Sequence, residues 1–309
     1  MVAALALLCC ALWGSATPFI KLGYQYCLPE KDVASTILFA GIRFMFAGIF
    51  TVIIFSIARR KILYPMLKNM GKVCTVSVFQ TVLQYIFFYV GLANTSGVKG
   101  TILSSSSTFF AIFISALIFR QEKLNFKKIF ACILGFGGII LINLNGLDLN
   151  RNLLGDGFFI FSAISLGISS NLIKIFSKDE DPVTISGYQF IIGGLFMIII
   201  GLIFGGKITL SSFSGIGILA YLSLLSAVAY SVWGMLLKYN PVSNVTVFSF
   251  TTSIFGVLLT WLLLSEESNV HILNLLAALA LVALGVFILN FDFGKLVKRK
   301  NGEDAPSDN

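Results

Sequence analysis

YIFFYVGLANTSGVKGTILSSSSTFFAIFISALIFRQE, residues 85–122, is two apolar runs joined by a short polar turn. Laid without gaps on YSVWGMLLKYNPVSNVTVFSFTTSIFGVLLTWLLLSEE, residues 230–267, it is identical at Tyr85, Leu92, Thr101, Ser104, Phe110, Leu117 and Glu122. Seven identities in so apolar a stretch carry little weight alone. Their setting carries more: a tyrosine first, a polar turn, a Ser/Thr cluster within an apolar run, and a carboxylate just past its end. The chain reads as one module used twice.

The repeat extends outward on both sides. LWGSATPFIK pairs with SLGISSNLIK, matching Gly14 to Gly167 and Lys21 to Lys174. IRFMFAGI pairs with YQFIIGGL, matching Arg43 to Gln189 and Phe44 to Phe190. GGIILIN pairs with LGVFILN, matching Gly138 to Gly285 and Asn143 to Asn290. The offsets of 153, 146, 145 and 147 all lie near half of the 309 residues.

Composition sets the class. The chain is 57% hydrophobic and 12% charged, against roughly 25% charged in soluble domains. Apolar runs near membrane-spanning length recur throughout, so we expect an all-α polytopic membrane protein. The short alternating segments of a membrane β-barrel are missing. Ten spans are expected, near 2–23, 34–57, 73–92, 97–119, 128–145, 156–176, 184–205, 214–237, 243–264 and 272–293. Each repeat then holds five. Because five is odd, the second repeat must be inverted relative to the first, which places a binding site near the midplane between them. The expected division is a first repeat over 1–146, a linker over 147–155, a second repeat over 156–293 and a tail over 294–309.

The net charge of +8 has two readings, nucleic acid or membrane orientation. Its distribution favours the second. With the N-terminus inside, sixteen Lys and Arg fall in cytoplasmic segments and four, Lys31, Lys99, Arg151 and Lys207, in outer ones. That bias puts both termini in the cytoplasm of a cell-membrane protein. Cysteines introduced at Arg60 and Asn150 are expected to label from opposite sides. Five cysteines without CxxC spacing and one histidine, His271, argue against disulfides and metal sites. No cofactor and no nucleic-acid partner are expected. The partners are a small-molecule substrate and the lipid bilayer, with the oligomeric state left open.

The order and recurrence of these residues resemble the EamA-type family of the drug/metabolite transporter superfamily. The resemblance rests on Trp13-Gly14 with Pro18 and Lys21, Arg43-Phe44, Gly91-Leu92 and the hydroxyl cluster leading to Glu122. In the second half it rests on Tyr230 to Gly234, Lys238 to Val242, and Phe255-Gly256-Val257 leading to Glu266-Glu267. It implies ten helices and export of small polar metabolites such as amino acids by alternating access. The family commonly has a proline in spans four and nine, where this chain has Thr108 and Ser253. A helix break there then needs hydroxyl groups bonding back to the backbone.

Twelve residues are candidates for a substrate site: Trp13, Thr17, Arg43, Tyr85, Tyr89, Ser105, Thr108, Gln189, Tyr230, Trp233, Thr252 and Ser253. The hydroxyls read either as helix-packing groups or as a polar cavity wall. The aromatics read either as interfacial anchors or as cavity lining. Arg43 lies near the middle of its span, where a charge costs about 2.5–3.5 kcal/mol on insertion scales. Either helix carbonyls, amides and hydroxyls satisfy it, or an anionic group of the substrate does. Glu122 and its neighbours at span ends read as structural. A membrane enzyme would need a nucleophile with a base, or acid pairs, and no Asp, Glu or His lies deep in a span. A receptor or assembly protein without transport is the remaining alternative.

Overall fold

The computed structural model describes residues 1–30, 32–94, 97–144, 153–210, 212–264 and 272–291. Among them every regular element is helical. Among the described residues nine helices are long and apolar enough to cross a membrane, and Phe126–Ile142 stands at the remaining position of the ten that the repeat calls for. The first five are Val2–Cys27, Val33–Ala58, Leu67–Asn94, Gly97 to Ile118 and Phe126–Ile142. The second five are Leu153–Phe176, Pro182–Ile203, Phe213–Tyr239, Val242 to Leu264 and Ile272–Asn290. Span 5 has 17 residues, at the short limit for crossing a bilayer. Spans 1 and 3 outrun their expected ends. Span 1 runs through Pro18 and on to Cys27, ending two residues before Pro29. Span 3 starts at Leu67 because Glu180 accepts hydrogen bonds from the Met66 amide and the Asn69 side chain, fixing its first turn. The expected linker lies mostly, and the tail wholly, outside the described residues, as do Asn150, Glu266, Glu267 and His271.

Local chemistry sets several span starts. Asp32 accepts from the Ser35 amide, Asn125 from the Lys128 amide and Asp181 from the Thr184 amide, each capping a helix N-terminus. Pro182 stands at the first turn of span 7, where its missing N–H costs nothing.

Packing follows an inverted two-fold symmetry. Span 2 lies along span 7 and span 5 along span 10, each against its own repeat mate. Span 1 packs on spans 8 and 9, and span 6 on spans 3 and 4 in the same way. The symmetry reaches single atoms. A Cβ built on Gly14 would meet Phe255 and Gly256, and one on Gly167 would meet their mates, Phe110 and Ala111. The Cys9 thiol points to the Ala229 carbonyl, and the Ser162 hydroxyl donates to the Gln84 carbonyl. Both members of the second contact are the mates of the first.

Spans 4 and 9 are broken without proline. Span 4 is interrupted at Ser106, between α-helical Gly97–Ser105 and Ser107–Phe113. Span 9 passes through a 3₁₀ turn, Val247–Ser249. Hydroxyls bond back at both places: Ser105 to the Thr101 carbonyl, Ser106 to Leu103 and Thr251 to Phe248. Two π-helical segments, Val78–Leu83 and Ile114–Ile118, add further irregularity in spans 3 and 4.

Candidate functional site

Two contacts mark the symmetry axis, because in each a residue touches its own mate. Tyr85 and Tyr230 share a hydroxyl hydrogen bond of 2.8 Å. Phe44 stacks on Phe190 with ring centroids 5.1 Å apart. Around this point spans 1, 2, 3, 7 and 8 contribute a continuous aromatic cluster. Trp13 packs edge-on against Tyr230 and Trp233 at 5.0 and 4.9 Å. Phe44 also abuts Tyr85, and Tyr89 lies beside Tyr85.

Arg43 enters this cluster from span 2. Its side chain is 3% exposed. Its guanidinium lies 4.8 Å from the Phe44 ring centroid and donates to the Ser226 hydroxyl at 2.9 Å. The same contact is made in the other repeat by the mates: the Thr81 hydroxyl donates to Gln189 at 2.6 Å. One half of the site therefore carries a positive charge where the other carries a neutral amide. Arg43 Nε, Gln189 Nε2, Trp13 Nε1 and the Tyr24 hydroxyl are buried without a hydrogen-bond partner.

The hydroxyl candidates gather where spans 4 and 9 cross. Ser105 and Ser253 approach to 3.4 Å, and the Ser104 and Thr252 hydroxyls are buried with no partner. Thr17 faces this crossing from span 1, its hydroxyl 3.5 Å from a Cβ built on Gly256. Thr108 does not join them. It is 1% exposed and donates to the Thr246 carbonyl. Gln189 is likewise turned toward Thr81 on span 3. Sequence reasoning missed Ser226, Thr81 and Tyr24. Ser226 and Thr81 are repeat mates at offset 145, both polar within apolar spans, and that pairing was a usable signal.

Mates related by the symmetry also differ in exposure. Leu92, at the end of span 3 remote from Met1, is 37% exposed, whereas its mate Leu237 is 0% exposed. Thr17 is exposed and Ser170 is buried. Ser253 is half-buried and Thr108 is buried. In each pair the open member lies toward the side remote from the start of span 1.

The closed side is held by Glu122 and Lys174. Glu122 accepts hydrogen bonds from the Val242 and Ser243 amides, the Ser243 hydroxyl at 2.5 Å and Lys128 at 2.7 Å. It thereby caps span 9 from the loop after span 4. Burial alone would raise its pKa, but the Lys128 and Ser243 hydrogen bonds outweigh that and hold the carboxyl below its usual range. Lys174 donates to the Leu237 and Asn240 carbonyls, closing the end of span 8.

Ten helices in two inverted repeats around a polar, one-sided site define the class of membrane transporters built from inverted repeats. The model of the EamA-like transporter family matches residues 1–144 and 153–291. The chain belongs to that family. It is a transporter and not an enzyme. An uncharacterized transporter of Archaeoglobus fulgidus is 25% identical over 283 residues, covering 90% of this chain and 94% of that one. An uncharacterized transporter of Synechocystis is 25% identical over 81% of each chain. A WAT1-related chloroplastic protein of Arabidopsis thaliana is 26% identical over 67% of this chain, which spans about half (52%) of that protein's length. A crystal structure with 14% identity superposes with a TM-score of 0.76, covering 97% of this chain and 98% of the other. It supports the fold alone.

Proposed function

We propose that the protein is a secondary transporter that exports small polar metabolites, such as amino acids, across the cell membrane by alternating access. The observation that carries this is the unequal burial of repeat mates. Thr17, Leu92 and Ser253 are open where Ser170, Leu237 and Thr108 are closed. An inverted repeat whose halves exchange these two arrangements exposes the central site first to one side and then to the other. Ten of the twelve candidate residues supply its lining in this reading, with Arg43 and the Tyr85–Tyr230 pair at the axis, while Thr108 and Gln189 are set back from it.

The Lys and Arg bias supports placing the start of span 1 in the cytoplasm, so the form described is open outward. A cysteine replacing Arg60 is expected to react with an impermeant maleimide only from the cytoplasm, and one replacing Lys207 only from outside. Reaction of both from one side would overturn the topology. Counterflow of labelled amino acids in proteoliposomes tests the function directly. Uptake that depends on unlabelled substrate trapped inside supports it. The absence of counterflow for every metabolite in a broad panel would leave a receptor or assembly role.

A further inference from the structure

Arg43 is a buried cation with no carboxylate partner among the described residues. Among the described residues the acidic side chains, Glu30, Asp32, Glu122, Asp156, Asp179, Glu180 and Asp181, all lie in loops or at span ends. Glu122 is committed to Lys128 and span 9. What surrounds the guanidinium is aromatic: Phe44 lies under it, and Phe44 in turn abuts Tyr85 and Phe190. Its side-chain hydrogen bond goes to a neutral hydroxyl, Ser226, while Nε has no acceptor among the described residues. The Trp13 indole N–H is a second buried donor without an acceptor there, and its ring packs on Tyr230, which packs on Phe190 in the same cluster. An indole N–H and a guanidinium N–H can only donate. Both groups therefore call for an acceptor, and the charge between them is positive.

We propose that the missing counter-ion is the substrate: a small organic anion whose carboxylate is taken by Arg43, with Trp13 supplying a further N–H. This rests on the transporter reading and narrows it. A guanidinium presents paired donors to a carboxylate. An ammonium group on the same substrate would find hydroxyls and ring faces but no carboxylate, and would sit in the field of Arg43. Net-anionic carboxylates are thus preferred to zwitterionic α-amino acids, and cations are excluded. Gln189, the mate of Arg43, cannot substitute as a charge, so the substrate binds in one polarity across the axis.

The test is a head-group series on one skeleton. Purified full-length protein at neutral pH is given propionate, propionamide, propylamine and alanine, then 3-phenylpropionate, its amide, its amine and phenylalanine. Binding is read by thermal unfolding and by tryptophan fluorescence. The carboxylates are expected to bind at least tenfold more tightly than their amides, with the amino acids weaker than the carboxylates and the amines without effect. Arg43→Gln is expected to weaken carboxylate binding far more than amide binding, so that the carboxylate advantage falls below about twofold. Equal binding of carboxylate and amide, tighter binding of the amino acid or amine, or no binding by either carboxylate would overturn the proposal. So would a full carboxylate preference in a folded Arg43→Gln protein. Should that variant fail to fold, the wild-type ranking still decides. Counterflow is scored separately: anion preference without flux would count against the transporter reading, and flux without anion preference against this subsite alone.

Discussion

Glu122→Ala is expected to cost about 3–5 kcal/mol and to open the closed side of the protein. The magnitude is that of breaking a buried ion pair by removing one partner. Glu122 and Lys128 have side chains only 8% and 10% exposed. Without the carboxylate, Lys128 keeps only the Lys123 carbonyl, and the Val242 and Ser243 amides at the start of span 9 lose their acceptor. Lys128→Met is expected to cost less, because the carboxylate keeps its two amides and the Ser243 hydroxyl. The measurement is the rate at which a cysteine replacing Thr108 reacts with an impermeant maleimide from the side of Met1. It should rise at least tenfold in Glu122→Ala, with a smaller rise in Lys128→Met. An unchanged rate in Glu122→Ala would show that this contact does not hold the closed side.

The same latch has a pH dependence of fixed sign. The folded pKa of Glu122 lies below its ordinary value, so its contribution to stability is complete above that ordinary value. It is lost as pH falls through the folded one. Between about pH 5 and 8 the latch should be constant, since both lie in or below the carboxylate range near 4. The thermal unfolding midpoint should lose the contribution of this contact only in more acidic solution, and that loss should be missing in Glu122→Gln.

What the sequence made legible follows from what a repeat encodes. Tyr85 and Tyr230 matched at offset 145, but an alignment of the chain with itself leaves open whether mates touch; only their hydroxyl contact of 2.8 Å puts them on the axis. The pairing of Arg43 with Gln189 gave the asymmetry of charge. The helix breaks were half-legible: hydroxyl runs at Ser104 to Thr108 and Thr251 to Ser253 signalled back-bonding, but not the 3₁₀ turn at Val247–Ser249. The π-helical segments were hidden, because an extra residue in a turn leaves no compositional trace. Glu122 was half-legible: a carboxylate at a span end with lysines nearby read as structural, but its partners Val242 and Ser243 stand 120 and 121 residues away. Tyr24 was missed because span 1 was expected to end near residue 23, whereas the helix runs to Cys27.

Alanine at Gly48 or Gly194 is expected to be the most damaging of the single-methyl changes, and the two should be equally damaging. Spans 2 and 7 cross backbone to backbone. A Cβ on Gly194 would stand 2.4 Å from the Met45 nitrogen and 2.7 Å from the Gly41 carbonyl oxygen. A Cβ on Gly48 would stand 2.5 Å from the Gly187 carbonyl oxygen and 2.7 Å from the Ile191 nitrogen. Gly187 and Ile191 are the mates of Gly41 and Met45, so both substitutions insert the same methyl into the same gap from opposite sides. The obstacles are main-chain atoms, which no rotamer change can move; the two helices must part. Overpacking in a tight core costs typically about 1–3 kcal/mol, and separation along the whole crossing puts these at or beyond the upper end. Gly137 and Gly217 are the controls, since a Cβ at either meets nothing within 4 Å. Alanine there should be neutral or slightly stabilising, because glycine is the weaker helix former by about 1 kcal/mol. Thermal unfolding of the four variants in detergent gives the comparison. Near-equal losses at Gly48 and Gly194 with none at the controls are expected. A large difference between the two would mean that the inverted repeats do not meet symmetrically at this crossing.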